Sequence, residues 1–228
     1  MTMKESMEPT DRVRSLEAVL FDFDGTIANT IPHILASFQH ATAEVLGEAL
    51  SDAILMHNVG IPLAQQMLEL SEGDQEVADR LLVSYRTFNH ATHDQMATLY
   101  PGSLEVLSAL KAHGMPMGVV TSKGTPMASR GLDLFELRGF FDVVVTADDV
   151  PVHKPDPYPV VHAAGLLGIP AGATAYVGDS PHDMESASRA GAVAIGASWG
   201  VSDRDRLVAA GAAYVLDDIR ELPKLIFG

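Results

Sequence analysis

The segment Val19-Leu20-Phe21-Asp22-Phe23-Asp24-Gly25-Thr26 constrains this chain more than any other. An apolar run with strand propensity leads into two carboxylates one residue apart, and Gly-Thr ends it. Strand side chains alternate with period two, so Asp22 and Asp24 start out aimed at the same side of the strand's end. Two like charges placed there raise the electrostatic energy unless a cation or a shared proton relieves it. A folding core gains nothing from that arrangement. A Mg²⁺ site with one carboxylate left for proton transfer does.

At 228 residues and 47% apolar content the chain can build one good core and a smaller inserted domain. No run approaches the ~18 apolar residues that a membrane span needs. Residues 1–17 mix charges of both signs without an apolar stretch, so they read as a tail and not as a secretory signal. Cysteine is absent, which removes disulfides, thiolate ligands and a Cys nucleophile, and fits a reducing, cytoplasmic setting. The net charge of −15 argues against a nucleic-acid backbone or an anionic membrane as partner. A small phosphorylated substrate stays open, because one local cation and a metal make a positive pocket in a negative protein. Composition does not separate a monomer from a homodimer.

The pattern predicts strands at Ala18–Phe23, Met117–Thr121, Val143–Thr146, Ala173–Val177, Val193–Ile195 and Ala213–Leu216. Helices are expected near Gly102–His113, Pro126–Leu134, Pro157–Leu167, Asp183–Ala190 and Asp203–Ala210. Strands alternating with helices of this length mean an α/β fold with a doubly wound parallel sheet. Residues 29–100 show helical spacing only, as in Ile31, Ile34, Leu35 and Phe38, and hold no convincing strand. They are expected to form an inserted all-helical domain, leaving 1–28 and 101–228 as the core.

Ligands of open parallel sheets sit beyond the carboxyl ends of the strands. The predicted strand ends carry Asp22 and Asp24; Thr121-Ser122-Lys123-Gly124; Lys154 in a Lys-Pro-Asp-Pro turn; and Gly178-Asp179-Ser180-Pro181-His182-Asp183. These four pieces, in this order, resemble the haloacid dehalogenase-like (HAD) superfamily, and residues 29–100 resemble its C1 cap. Gly60-Ile61-Pro62-Leu63, Leu99-Tyr100-Pro101-Gly102 and Val120-Thr121-Ser122-Lys123-Gly124 look most like its phosphoglycolate phosphatase and pyrophosphatase group.

The resemblance implies a Mg²⁺-dependent phosphohydrolase acting on a small phosphorylated metabolite, most like a phosphoglycolate phosphatase, with a pyrophosphatase as an alternative. In it, Asp22 is the nucleophile that forms an aspartyl-phosphate, and Asp24 is the acid and base. Thr121 and Lys154 bind phosphoryl oxygens, helped by backbone N–H groups near Gly25 and Ser122. The metal is held by Asp22, the Asp24 backbone carbonyl and Asp179, with Asp183 in the layer behind. A β-phosphoglucomutase-type mutase is the nearest alternative. A receiver-like signalling module fits less well, because Asp24 supplies a base for rapid hydrolysis.

Blander roles stand beside these. Asp24-Gly25 is a common turn pair. Ser180-Pro181-His182-Asp183 reads as a helix start, a job Asp183 can combine with the metal shell. His90 and His93 read as surface residues, and His153 and His182 as neighbours of the motifs. His33 and Asn29 are placed to line a substrate entrance, and His33, His57, Asn58 and Gln65 to select the leaving group.

Overall fold

The computed structural model describes residues 13–57 and 59–228, so Asn58 lies outside the described residues. Eight strands are present there: β1 (Ala18–Phe21), β2 (Ala28–Asn29), β3 (Thr98–Leu99), β4 (Met117–Val120), β5 (Val143–Val145), β6 (Thr174–Gly178), β7 (Val193–Ala197) and β8 (Tyr214–Leu216). Six of them form one parallel sheet in the order β5-β4-β1-β6-β7-β8. The chain runs outward from β1 through β4 to β5, then crosses back to continue through β6, β7 and β8. The reversal falls between the two neighbours of β1, and there the ligand crevice of such a sheet opens.

Helices cover both faces, which is why β1 is apolar throughout. Val19 and Phe21 pack with Leu107, Leu110 and Leu222 on one side. Leu20 packs with Val160, Tyr176 and Met184 on the other. Asp22, two residues beyond Leu20, falls on the Tyr176 side. Its N–H donates to the Val177 carbonyl at 2.8 Å, holding it in line with the strand.

The sheet and its helices follow the sequence pattern to within two residues at each end, and β1, β4 and β5 end earlier than expected. β1 stops at Phe21 because Ile27 and Ala28 donate their N–H groups back to the Phe23 carbonyl, at 3.1 and 2.9 Å. The resulting tight loop takes Asp24 out of the strand direction. The closing helix Leu222–Phe227 is too short to stand out by periodicity.

Residues 31–96 form four helices, Ile31–Leu46, Asp52–Met56, Leu63–Leu70 and Gln75–Met96. They bury their own apolar cluster, including Phe38, Leu55, Met67, Leu81 and Tyr85. The expectation of no strand in 29–100 needs correction. Asn29, Thr98 and Leu99 belong to an antiparallel ladder of two residues per strand, β2 with β3, where the chain leaves and rejoins the sheet domain. Two-residue strands carry no readable periodicity.

Leu20 is fully buried in the central strand. Leu20→Ala should therefore lower stability by about 2–5 kcal/mol in urea unfolding, and a loss below about 1 kcal/mol would contradict this packing.

Candidate active site

Lys154 is the centre around which the strand ends are arranged. It is 3% exposed, and its Nζ lies 2.6 Å from Asp183 Oδ1, 3.2 Å from Asp22 Oδ2 and 3.0 Å from the Tyr176 hydroxyl. Tyr176 in turn donates to the Val120 carbonyl at 2.8 Å. Burial opposes the charge on Lys154, but Asp183 and Asp22 outweigh it and push the ammonium well above its ordinary range.

Asp183 has donors on both oxygens. Oδ1 accepts from Lys154, and Oδ2 accepts from the Ser180 N–H at 2.9 Å and Ser180 Oγ at 2.6 Å. It therefore serves as N3 of a capping box that starts the helix Pro181–Ala190, and it orients Lys154 as well. Burial raises its pKa, yet Lys154 and Ser180 outweigh that and hold the carboxyl below the usual range. Asp22 has fewer donors. Burial, against the pull of Lys154 and with Asp183 and Asp24 adding, raises its pKa to about 7. Asp179 accepts from the Val201 N–H at 2.8 Å and from Thr26 Oγ1 at 3.3 Å. Burial and the charges of Asp183 and Asp22 push it well up.

Asp22, Asp179 and Asp183 each offer an oxygen, and these three atoms lie within 4.8 Å of one another. Three buried carboxylates thus face one ammonium, which leaves negative charge that a divalent cation would offset. The donor set is all oxygen, as Mg²⁺ prefers. Two glycines make the close approach possible. A Cβ on Gly25, at φ 78°, would stand 2.0 Å from Asp179 Oδ2, and one on Gly200 would stand 2.2 Å from Asp179 Cβ. The residues present fit the metal.

Asp24 is held apart from this cluster. Its oxygens accept from Lys123 Nζ at 2.6 and 2.8 Å, and Oδ1 also accepts from Thr30 Oγ1 at 2.6 Å. Burial works against the charge, but Lys123 and Thr30 outweigh it and keep the carboxyl low. The two carboxylates of the opening motif do not share one environment, as strand alternation suggests. The loop at Gly25 gives each its own lysine.

A cavity of about 540 Å³ opens above them, lined on the sheet side by Asp22, Asp24, Thr121, Ser122, Lys123 and Asp179, and on the helical side by Gln66, Tyr85, Arg86, Asn89 and His90. Thr121 faces it as expected, and its Oγ1 accepts from the Lys123 N–H at 3.2 Å. Ser122 Oγ donates to the Gly60 carbonyl at 2.7 Å, tying the sheet domain to the helical segment. Two groups expected at the substrate have partners within the protein. The Gly25 N–H donates to the Ala28 carbonyl at 2.8 Å, so this loop closes on itself. Lys154 Nζ lies 3.2 Å from Asp22 Oδ2, next to a residue that lines the cavity.

Several histidines also stand elsewhere than expected. His93 is fully buried, with Nδ1 2.8 Å from an Asp94 carboxylate that also accepts two bonds from Arg130. His33 is buried against Thr92 and does not line an entrance. Gln65 bonds Glu69 on the surface, and Gln66 is the glutamine that reaches the cavity. His57 and His182 line a second, small cavity of about 110 Å³, while His153 reaches the large one. The sequence singles out neither Tyr176 nor Arg86, and it gives Lys123 only within its strand-end run, with no role. Lys123 stands two residues past the predicted end of the strand at Thr121, a signal that was available. Tyr176 offered only its hydroxyl within an apolar run.

Comparison with known proteins gives this site a family. Residues 19–197 match the model of the haloacid dehalogenase-like hydrolases. The pyrophosphatase PpaX of Bacillus pumilus is 34% identical over 93% of this chain and 97% of its own. A Caldanaerobacter subterraneus protein named for the same pyrophosphatase is 37% identical over 93% of this chain and 96% of its own. Among solved structures, a predicted phosphatase from Clostridium acetobutylicum superposes with a TM-score of 0.82 at 28% identity, covering 92% of this chain and 97% of that one. A predicted phosphoglycolate phosphatase from Haemophilus somnus shares the fold, with a TM-score of 0.83 at 24% identity over 92% and 98% of the two chains. The chain belongs to the haloacid dehalogenase-like hydrolase family, as an enzyme of the phosphatase kind.

Proposed function

We propose that the chain hydrolyses a small phosphorylated compound through a phosphoryl group carried on Asp22, with Mg²⁺ as its cofactor. One observation carries this reading: three buried carboxylates cluster within 4.8 Å of one another, two of them paired with a buried lysine, and two of them line a cavity large enough for a metabolite. Asp22 and Asp179 would hold the metal, together with the Asp24 backbone carbonyl, and Asp183 would steady them from behind. When bound, Mg²⁺ supplies positive charge that draws the phosphoryl group toward the carboxylates.

The chain's own groups do the rest. An Asp22 oxygen bonds to phosphorus while the bond from phosphorus to the leaving oxygen breaks. Lys154 steadies Asp22 and limits the charge that builds up there. A water then attacks phosphorus, its proton passes to Asp24, and the bond from Asp22 to phosphorus breaks. Thr121, on the cavity wall, is placed to donate to a phosphoryl oxygen. Residues 29–100 act as a cap that excludes bulk water and contacts the leaving group.

Asp24 rests ionised beside Lys123, ready to act as the base of the second step. A leaving group that needs little protonation suits that resting state, and phosphate leaving from pyrophosphate needs less than the glycolate alkoxide leaving from 2-phosphoglycolate. The relatives at 34% and 37% identity also carry the pyrophosphatase name, so pyrophosphate stands ahead of 2-phosphoglycolate as first candidate.

A phosphate-release screen with both compounds should show turnover that stops on chelation and returns with Mg²⁺; no release from either, or from any monoester, would remove the hydrolase reading. Asp22→Asn should abolish turnover with the circular dichroism unchanged, and near-normal activity would exclude Asp22 as nucleophile. Asp24→Ala should cut the rate by about 10²–10⁴-fold, and a full rate would remove its proton-transfer role.

A further inference from the structure

We propose that Arg86 selects the substrate by pairing with a second anionic group, carboxylate or phosphoryl, on the leaving group. This rests on the phosphohydrolase reading and adds the class of compound that the site accepts.

Carboxylates gather at the cavity floor. Asp22, Asp24 and Asp179 all line it, so an anionic leaving group is repelled unless a cation faces it. Lys154 is not available, because it has three partners already. Lys123 is on the wall, but both oxygens of Asp24 hold its ammonium. Arg86 lines the same cavity, and among the described residues its guanidinium has no carboxylate or hydrogen-bond partner. Other basic residues such as Arg206 and Lys224 also have no acid within ion-pair distance among the described residues, but Arg86 differs from them in lining this cavity.

Arg86 projects from the helix Gln75–Met96 one turn ahead of His90, and both reach the cavity. Its planar fork of N–H donors matches the paired oxygens of a carboxylate or phosphoryl group. Much of the remaining wall is apolar, including Phe38, Ile61, Leu63 and Met127. That surface accepts a carbon body but gives no partner to a charge. A leaving group with a second anion thus finds one unpaired cation, and a neutral leaving group gains nothing from it.

The test compares wild type, Arg86→Gln and Arg86→Lys in Mg²⁺ with three substrates. Pyrophosphate and 2-phosphoglycolate carry a second anion, whereas p-nitrophenyl phosphate does not. Wild type should turn over at least one of the first two. Arg86→Gln should raise its KM about tenfold or more, and should leave p-nitrophenyl phosphate within about twofold. Arg86→Lys should recover part of the loss. Unchanged KM for the doubly anionic substrate, or an equal rise for p-nitrophenyl phosphate, would overturn the proposal. Release from p-nitrophenyl phosphate alone would overturn it too, with the hydrolase reading intact. Release from none of the three would overturn both.

Discussion

The buried ammonium of Lys154 is the interaction on which the rest of this structure depends. It lies between Asp22 and Asp183 and against Tyr176, and all four side chains are shut away from water. Removing one partner of such a buried pair typically costs about 3–5 kcal/mol, because the other charge is left uncompensated. The arrangement also sets the charge of the site. Lys154 offsets part of the charge of three carboxylates, and what remains uncompensated is what a divalent cation would meet. Asp183, saturated by Ser180 and Lys154, is structural and electrostatic at once.

The fold brings these groups together through topology. β1 lies between β4 and β6, and their ends deliver Asp22, Thr121 and Asp179 to one edge. Lys154 arrives from the connection after β5, and Asp183 from the first turn of the helix after β6. The tight loop at Gly25 then separates Asp24 from Asp22, so that each carboxylate has its own lysine and its own charge state.

Much of this was legible in the sequence, for identifiable reasons. Apolar runs punctuated by glycines carry the sheet, since strands covered on both faces must be apolar. Asp22, Asp179 and Lys154 were legible because charges at strand ends have no packing role to hide behind. Lys154's exact place was not, since only the folded loop sets its ammonium between Asp22 and Asp183. The bond from the Gly25 N–H to Ala28 was not legible, because a turn that consumes its own donor shows only in the folded chain. His93 was misread because a histidine on a polar helix looks exposed until Asp94 and Arg130 are seen to close over it. Arg86 was invisible, because having no partner is a property of three dimensions.

The central claim is that Asp22 carries the phosphoryl group, and rapid acid quench during turnover tests it most directly. Peptide mass mapping of the quenched protein should find the phosphoryl group on the peptide holding Asp22, and find none in Asp22→Asn. Phosphoryl on another residue, or none in a protein that is turning over, would contradict the account.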